Sequence, residues 1–237
     1  MEIRKCSLDL SGHFQKYLIM NGIITQSNYI PWKGFFDSLG AVDNFIVYDD
    51  MQYTKRDWRN RNLIKTPNGS KWLSVPVEVK GKYFQKIKDT KIADKSWNIS
   101  HLNMIKQNYR KARCFSDVFP WLEELYVSCE YEYITEVNMH FIRGINSYLG
   151  NKPKIQFSSE FDLHEDKNQR LIDLCLANNI STYHSGPAAQ SYMDLDMFAD
   201  AQIKVVFWDY SNYKEYEQLY HPFEHGVSII DLLLNEV

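Results

Sequence analysis

The chain has 237 residues, 44% hydrophobic and 15% aromatic, enough to bury a sizeable core in one domain. Its formal charge of −3 excludes general nucleic-acid binding, because a phosphate-tracking surface needs a clear basic excess; local basic clusters remain at 55–61 and 106–113. No apolar run reaches about 18 residues, so no membrane span is expected.

Residues 1–19 are mixed in polarity and lack the apolar segment of a signal peptide. They read as a peripheral extension, with Met20 as an alternative start and residues 20–237 as a single domain. Cys6, Cys114, Cys129 and Cys175 are far apart and form no C-x-x-C pair, which predicts free thiols and a cytoplasmic setting.

Residues 22–26 read as a buried strand. Pro31 suits the first turn of a helix, Trp32, Phe35, Phe36 and Leu39 follow at helical spacing, and Gly40 is a fitting stop. Gln26, Asn28 and Tyr29 then lie in a strand-to-helix turn. Ligands gather beside such turns in α/β sheets, and free N–H groups there meet anions. The plain alternative is that Asn28 only caps the helix. Residues 44–48 form the next buried strand, ending in Asp49, Asp50 and Gln52, with Tyr53 just beyond. Carboxylates at a strand end suit a sugar hydroxyl, a metal, an amine or general-base work; an ordinary turn is the alternative.

Residues 57–65 carry Trp58, Arg59, Asn60, Arg61 and Asn62. The Pro67-Asn68-Gly69 turn sends the chain back along 71–77, which predicts a β-hairpin. A period of two puts Trp58, Asn60 and Asn62 on one face and Arg59 and Arg61 on the other. The planar fork of arginine suits phosphate or carboxylate, and asparagine with tryptophan suits a sugar ring. A solvated, charged hairpin is the alternative.

Residues 79–96 are lysine-rich and polar, a loop with one short strand. Ser96 is placed to cap a helix through 111, with Leu102, Ile105 and Tyr109 as its apolar stripe. His101 lies one turn before Ile105, a candidate acid-base group and more commonly an ordinary helical histidine. Residues 115–128 and 134–149 read as scaffold helices. Then come a short strand at 154–157, a helix at 166–178 and a strand at 180–184, followed by Ser185-Gly186-Pro187, whose backbone N–H groups could meet an anion or a carbonyl oxygen. A buried strand at 203–208, an aromatic tail at 210–220 covering the sheet or a partner, and a last helix capped by Ser228 complete the chain. The expected fold class is α/β: a central mixed or mostly parallel sheet with a β-hairpin and a helical middle section. There is no P-loop, GxGxxG, HExxH or GxSxG motif, and no His/Cys cluster with metal-ligand spacing.

The segments QSNYIPWKGFFDSL, DDMQYTKRDWRNRNLIKTPNG, KWLSVPV, the helix with His101 and Tyr109, YHSGPAAQSYM and VSIIDLLLN together resemble the WbqC-like family over nearly all of residues 22–235. Ser27 departs from it, standing where many relatives carry proline. The resemblance implies a role in bacterial O-antigen and capsule synthesis, as a transferase joining glycine or a related acyl group to the amine of a nucleotide-linked amino sugar. Asp50 or His101 would take the amine's proton. Arg61, Asn62 or the Ser185-Gly186 backbone would face the oxyanion, and Arg59 or Arg61 the pyrophosphate. Gln26, Asn28, Tyr29, Asp49, Gln52, Tyr53, Trp58, Asn60 and Tyr109 complete the expected substrate-binding set. No cofactor is identified. The activated donor, a thioester or an aminoacyl-tRNA, implies an acyl carrier or aminoacyl donor as partner; oligomeric state is left open. The alternatives are a non-catalytic carbohydrate-binding or assembly protein and an ATP-binding, acid-activating enzyme.

Overall fold

A computed structural model describes residues 19–236. The expectations for residues 1–18 and for Cys6 lie outside them. The first strand, β1 (Asn21–Thr25), leads to helix α1 (Lys33–Gly40), and β2 (Asn44–Val47) returns parallel to β1. A separate antiparallel hairpin, β3 (Arg61–Thr66) and β4 (Gly69–Ser74), comes next. Three helices follow: α2 (Trp97–Tyr109), α3 (Phe115–Val127) and α4 (Ile134–Leu149). The rest alternates β5 (Lys154–Phe157), α5 (Lys167–Ala177), β6 (Thr182–Ser185), α6 (Leu195–Asp200) and β7 (Lys204–Phe207), and ends on α7 (Ile229–Glu236).

The five-stranded sheet has the order β5-β2-β1-β6-β7, and every neighbouring pair is parallel. Parallel strands are covered on both faces, which is why they read as continuous apolar runs. In β1, Ile23 joins the larger core with α1 and α4, while Ile24 joins the smaller one with α5 and α6. β2 splits the same way: Phe45 and Val47 face the first core and Ile46 the second. The hairpin packs Ile64 and Leu73 into the larger core, beside the helical middle section.

Several local expectations change. α1 begins at Lys33, not at Pro31, because residues 28–31 are held by bonds outside any helix. The hairpin starts at Arg61; residues 55–60 are turns and bends, so Trp58, Arg59 and Asn60 have no strand periodicity. Its second strand opens at Gly69, earlier than expected. Ser96 does not cap α2: its hydroxyl bonds Asp94 instead. Ser228 does cap, accepting from the Ile230 amide at 3.3 Å. α4 ends where predicted, with Gly150 at φ 77°, a left-handed position that suits glycine. The aromatic tail lies over α1, where Tyr210 and Tyr213 flank Trp32 and the Lys33 ammonium sits 4.8 Å from the Tyr216 ring.

Candidate functional site

The chain lays β1, β2 and β5 outward to one side, then returns to place β6 and β7 on the other side of β1. The order therefore reverses between β1 and β6, and ligands of such sheets collect beyond the carboxyl ends of the strands near that reversal. The loops there carry Gln26, Ser27 and Asn28 after β1, Asp49 and Asp50 after β2, Ser158 after β5, and Gly186 and Pro187 after β6.

Hydrogen bonds join the stretch after β1, Asp49 and the Trp58–Asn62 segment, while Asp50 is turned to other partners. Asp49 ties the joined segments together. Its Oδ1 accepts from the Ser27 amide (2.8 Å), and its Oδ2 accepts from the Ser27 hydroxyl (2.6 Å) and the Thr135 hydroxyl (2.6 Å). Asn138 Nδ2 donates to Ser27 Oγ and to the Arg59 carbonyl, both at 2.9 Å. The Tyr29 amide donates to the Trp58 carbonyl (3.0 Å). Asn62 Nδ2 donates to the carbonyls of Tyr29 (3.2 Å) and Ile30 (2.9 Å). Ile30 has φ 36°, a genuine outlier for a β-branched residue, so the Asn62 bonds hold a strained loop in place.

Meeting has a consequence for roles: the inner members are spent on one another. Asp49 is 1% exposed, and burial pushes its carboxyl up against the pull of the Ser27 and Thr135 hydrogen bonds. Tyr29 is fully buried, its hydroxyl 2.9 Å from His101 Nδ1 and 2.7 Å from the Tyr126 hydroxyl. His101 is also interior, and burial lowers it to about 4, so it is neutral near pH 7. Its Nδ1 is engaged by the Tyr29 hydroxyl inside the core. Tyr109 is equally internal: its hydroxyl accepts from the Lys65 amide (2.8 Å) and donates to Asp231 (2.7 Å). Asn62, Asp49, Tyr29, Tyr109 and His101 therefore fasten the loops, and none presents a free polar group to a ligand.

Other expected residues stand nearer solvent. Gln26 and Asn28 are half-buried at the tip of β1. Arg59 Nη1 donates to Asn28 Oδ1, and its Nη2 lies 3.8 Å from Asp57. Burial makes the Arg59 guanidinium a weaker base than usual, opposed by Asp57 and Asp49. Asn60 Nδ2 donates to the Val75 carbonyl (2.8 Å). Arg61 sits over the Trp72 ring, Cζ 3.9 Å from its centroid, and Trp72 meets Trp58 at 5.3 Å. The two tryptophans are 39% and 42% exposed, leaving an open aromatic surface beside a cation. Tyr53 is buried, which lifts its hydroxyl to about 12. Gln52 is exposed and donates to the Tyr83 carbonyl (2.9 Å). Ser185 is buried, and Gly186 is exposed at the end of β6.

Asp50 differs from its neighbour. It accepts from the Ser158 hydroxyl (2.7 Å), lies 3.5 Å from Lys86 Nζ and 3.8 Å from Lys88 Nζ, and lines a cavity of about 390 Å³. Sequence reading did not single out Thr135, Asn138, Trp72, Lys86, Lys88, Ser158 or Arg170. Only Trp72 carried a sequence signal, since it falls on the Arg61 face of the hairpin once Leu63 pairs with Trp72. Among the described residues no group of three or more His, Cys, Asp or Glu is placed to hold a metal ion. No helix among them is long and apolar enough to cross a membrane.

Comparison with known proteins identifies the chain at the level of family. The chain is similar to Uncharacterized protein Rv1507c of Mycobacterium tuberculosis, 44% identical over 212 residues, covering 90% of this chain and 92% of that one. No solved structure matches it. The model of the WbqC-like protein family matches residues 26–237, so the chain belongs to that family.

Proposed function

We propose that the protein is a transferase of bacterial surface polysaccharide synthesis, acting in the cytoplasm, which joins glycine or a related acyl group to the amine of a nucleotide-linked amino sugar. The observation that carries this is Asp50 in a basic cavity beyond the carboxyl ends of β2 and β5; the open Trp58–Trp72–Arg61 surface and the Asn28–Arg59 pair supply groups suited to a sugar. The indole faces suit the apolar face of a sugar ring, and Asn28 suits its hydroxyls. The amine attacks the carbonyl of the activated acyl group; Asp50 takes the amine proton, and the activating group leaves. The Gly186 backbone faces the oxyanion. His101 has no part in this step, being closed into the interior. The donor reaches the site as a thioester or an aminoacyl ester, brought by a carrier.

The test is incubation with UDP-, dTDP- and GDP-amino sugars and glycyl donors, read by mass spectrometry. A product heavier by one glycyl residue supports the reading, and no product from any pair counts against it. If Asp50→Asn leaves polysaccharide output intact while Trp58→Ala abolishes sugar binding, the protein is a non-catalytic carbohydrate-binding or assembly factor.

The strand order favours one second reading. A reversal beside β1 and β6 also suits ATP, which would make the protein an acid-activating enzyme. Thermal stabilisation by ATP, without any by a sugar nucleotide, would select it.

A further inference from the structure

Lys86, Lys88 and Arg170 meet across the cavity beyond β2 and β5. The local sequence explains the two lysines. Ile87 between them is a core residue, 1% exposed, and its amide donates to the Met51 carbonyl (2.9 Å). The Lys88 amide donates to the Asp49 carbonyl (3.1 Å). With Ile87 turned inward and the backbone pinned to the end of β2, the lysines on either side line the cavity. Arg170 enters from α5. Its Nε donates to the His164 carbonyl (2.9 Å), its Nη2 to the Glu165 carbonyl (3.0 Å), and its Nη1 reaches the Tyr48 hydroxyl at 3.5 Å. Neutral oxygens thus fix the guanidinium without cancelling its charge. Among the described residues no carboxylate forms an ion pair with it.

The balance of the lining is three cations against the single carboxylate of Asp50. Lys88 also lies 3.8 Å from Asp89, which points largely to solvent. Ser159 adds a hydroxyl to the lining, while that of Ser158 is given to Asp50 (2.7 Å). A fixed arginine, two lysines and a serine hydroxyl around a small polar hollow match the oxygens of a phosphoryl group, which takes charge-assisted bonds from several directions. The position agrees, since it lies beyond the carboxyl ends of parallel strands. The two arginines expected to meet a pyrophosphate are committed elsewhere: Arg59 to Asn28 and Asp57, Arg61 to the Arg56 carbonyl and the Trp72 face.

We propose that Lys86, Lys88 and Arg170, with Ser159, form a phosphoryl-binding site that takes the diphosphate of a nucleotide-linked ligand. The phosphoryl chemistry stands on the cavity alone; the sugar beyond it rests on the transferase reading. On this arrangement the diphosphate competes with Asp50 for the two ammonium groups, and its arrival leaves the carboxylate free to face the amine.

Isothermal titration of the full chain with inorganic pyrophosphate, UDP and uridine tests the proposal. Pyrophosphate and UDP should bind saturably, more weakly as salt rises, and uridine should not bind. Lys88→Gln and Arg170→Gln should each weaken both ligands about tenfold, the scale of one lost charge-assisted bond. Lys88 is half-exposed, so its variant guards against a folding defect in the Arg170 one. Asp50→Asn should tighten pyrophosphate, because it removes the competing carboxylate. Absence of pyrophosphate and UDP binding in both the wild type and Asp50→Asn would overturn the site. UDP binding unchanged in both cation variants would overturn it too. Pyrophosphate binding without UDP binding would overturn the nucleotide-linked ligand. These titrations do not involve turnover, so a failed transferase assay beside a positive titration would remove the reaction and leave the site standing.

Discussion

Acidification should unfasten the core through His101. The residue is held neutral inside the protein, its pKa lowered by burial from 6.5 to about 4. In the unfolded chain it takes a proton near its ordinary value. As pH falls below 6.5 the unfolded state therefore binds more protons than the native one, and stability is lost down to about pH 4, where the native histidine also protonates. A gap of about 2.5 pH units corresponds to about 3 kcal/mol. Above pH 6.5 this contribution is fully present. The structural cost is specific: a protonated ring can only donate, so it cannot accept from the Tyr29 hydroxyl, which lies beneath the Trp58 and Asn62 bonds to the β1 loop. Urea unfolding at pH 7 and pH 4 measures it, on wild type and on His101→Gln. The variant starts less stable but lacks the titration, so wild type should lose about 3 kcal/mol more than the variant over that interval. Equal losses would show that His101 is solvated and titrates normally, and would return it to the candidates for proton transfer.

Asp49→Ala strands the Ser27 amide and two buried hydroxyls, and should cost about 3–5 kcal/mol in chemical denaturation, with Asp49→Asn milder; a loss under about 1 kcal/mol would contradict its fastening role. Trp72→Ala should change stability by no more than about 1 kcal/mol, because the Arg61 stack is partly exposed, yet should weaken sugar-nucleotide binding in titration as much as Trp58→Ala does. Burial pushes the Cys129 and Cys175 thiols up to about 12, so iodoacetamide at pH 8 should leave both unmodified in the native protein and label them in urea, as peptide mass spectrometry would show.

The sequence made the centre of the sheet legible because two of its inner strands are buried on both faces, as NGIIT and NFIV are, while the edge strands β5 and β7 are half-buried. α4 was legible because Ile134, Val137, Phe141 and Ile145 keep helical spacing and all join the core. The hairpin start was misplaced because Trp58, Arg59 and Asn60 look like strand residues, while their conformation is set by Tyr29, Asn138 and Val75 far along the chain. The same distance hid the division of roles in the site. Asp49 and Asp50 are adjacent and alike in sequence. Thr135 and Ser27 claim the first for the interior, and Lys86, Lys88 and Ser158 draw the second into a cavity. Lys86 and Lys88 sat in a lysine-rich loop that resembled ordinary solvated surface. Their placement comes from Ile87, whose burial depends on a core that local pattern does not reveal.

The most direct measurement is a crystal structure of the protein soaked with UDP-glucosamine. The account predicts one ligand spanning the carboxyl end of the sheet, its diphosphate on Lys88 and Arg170, its sugar against Trp58 and Trp72, and its amine facing Asp50. A ligand bound elsewhere, with the Asp50 cavity and the tryptophan surface both empty, would contradict it.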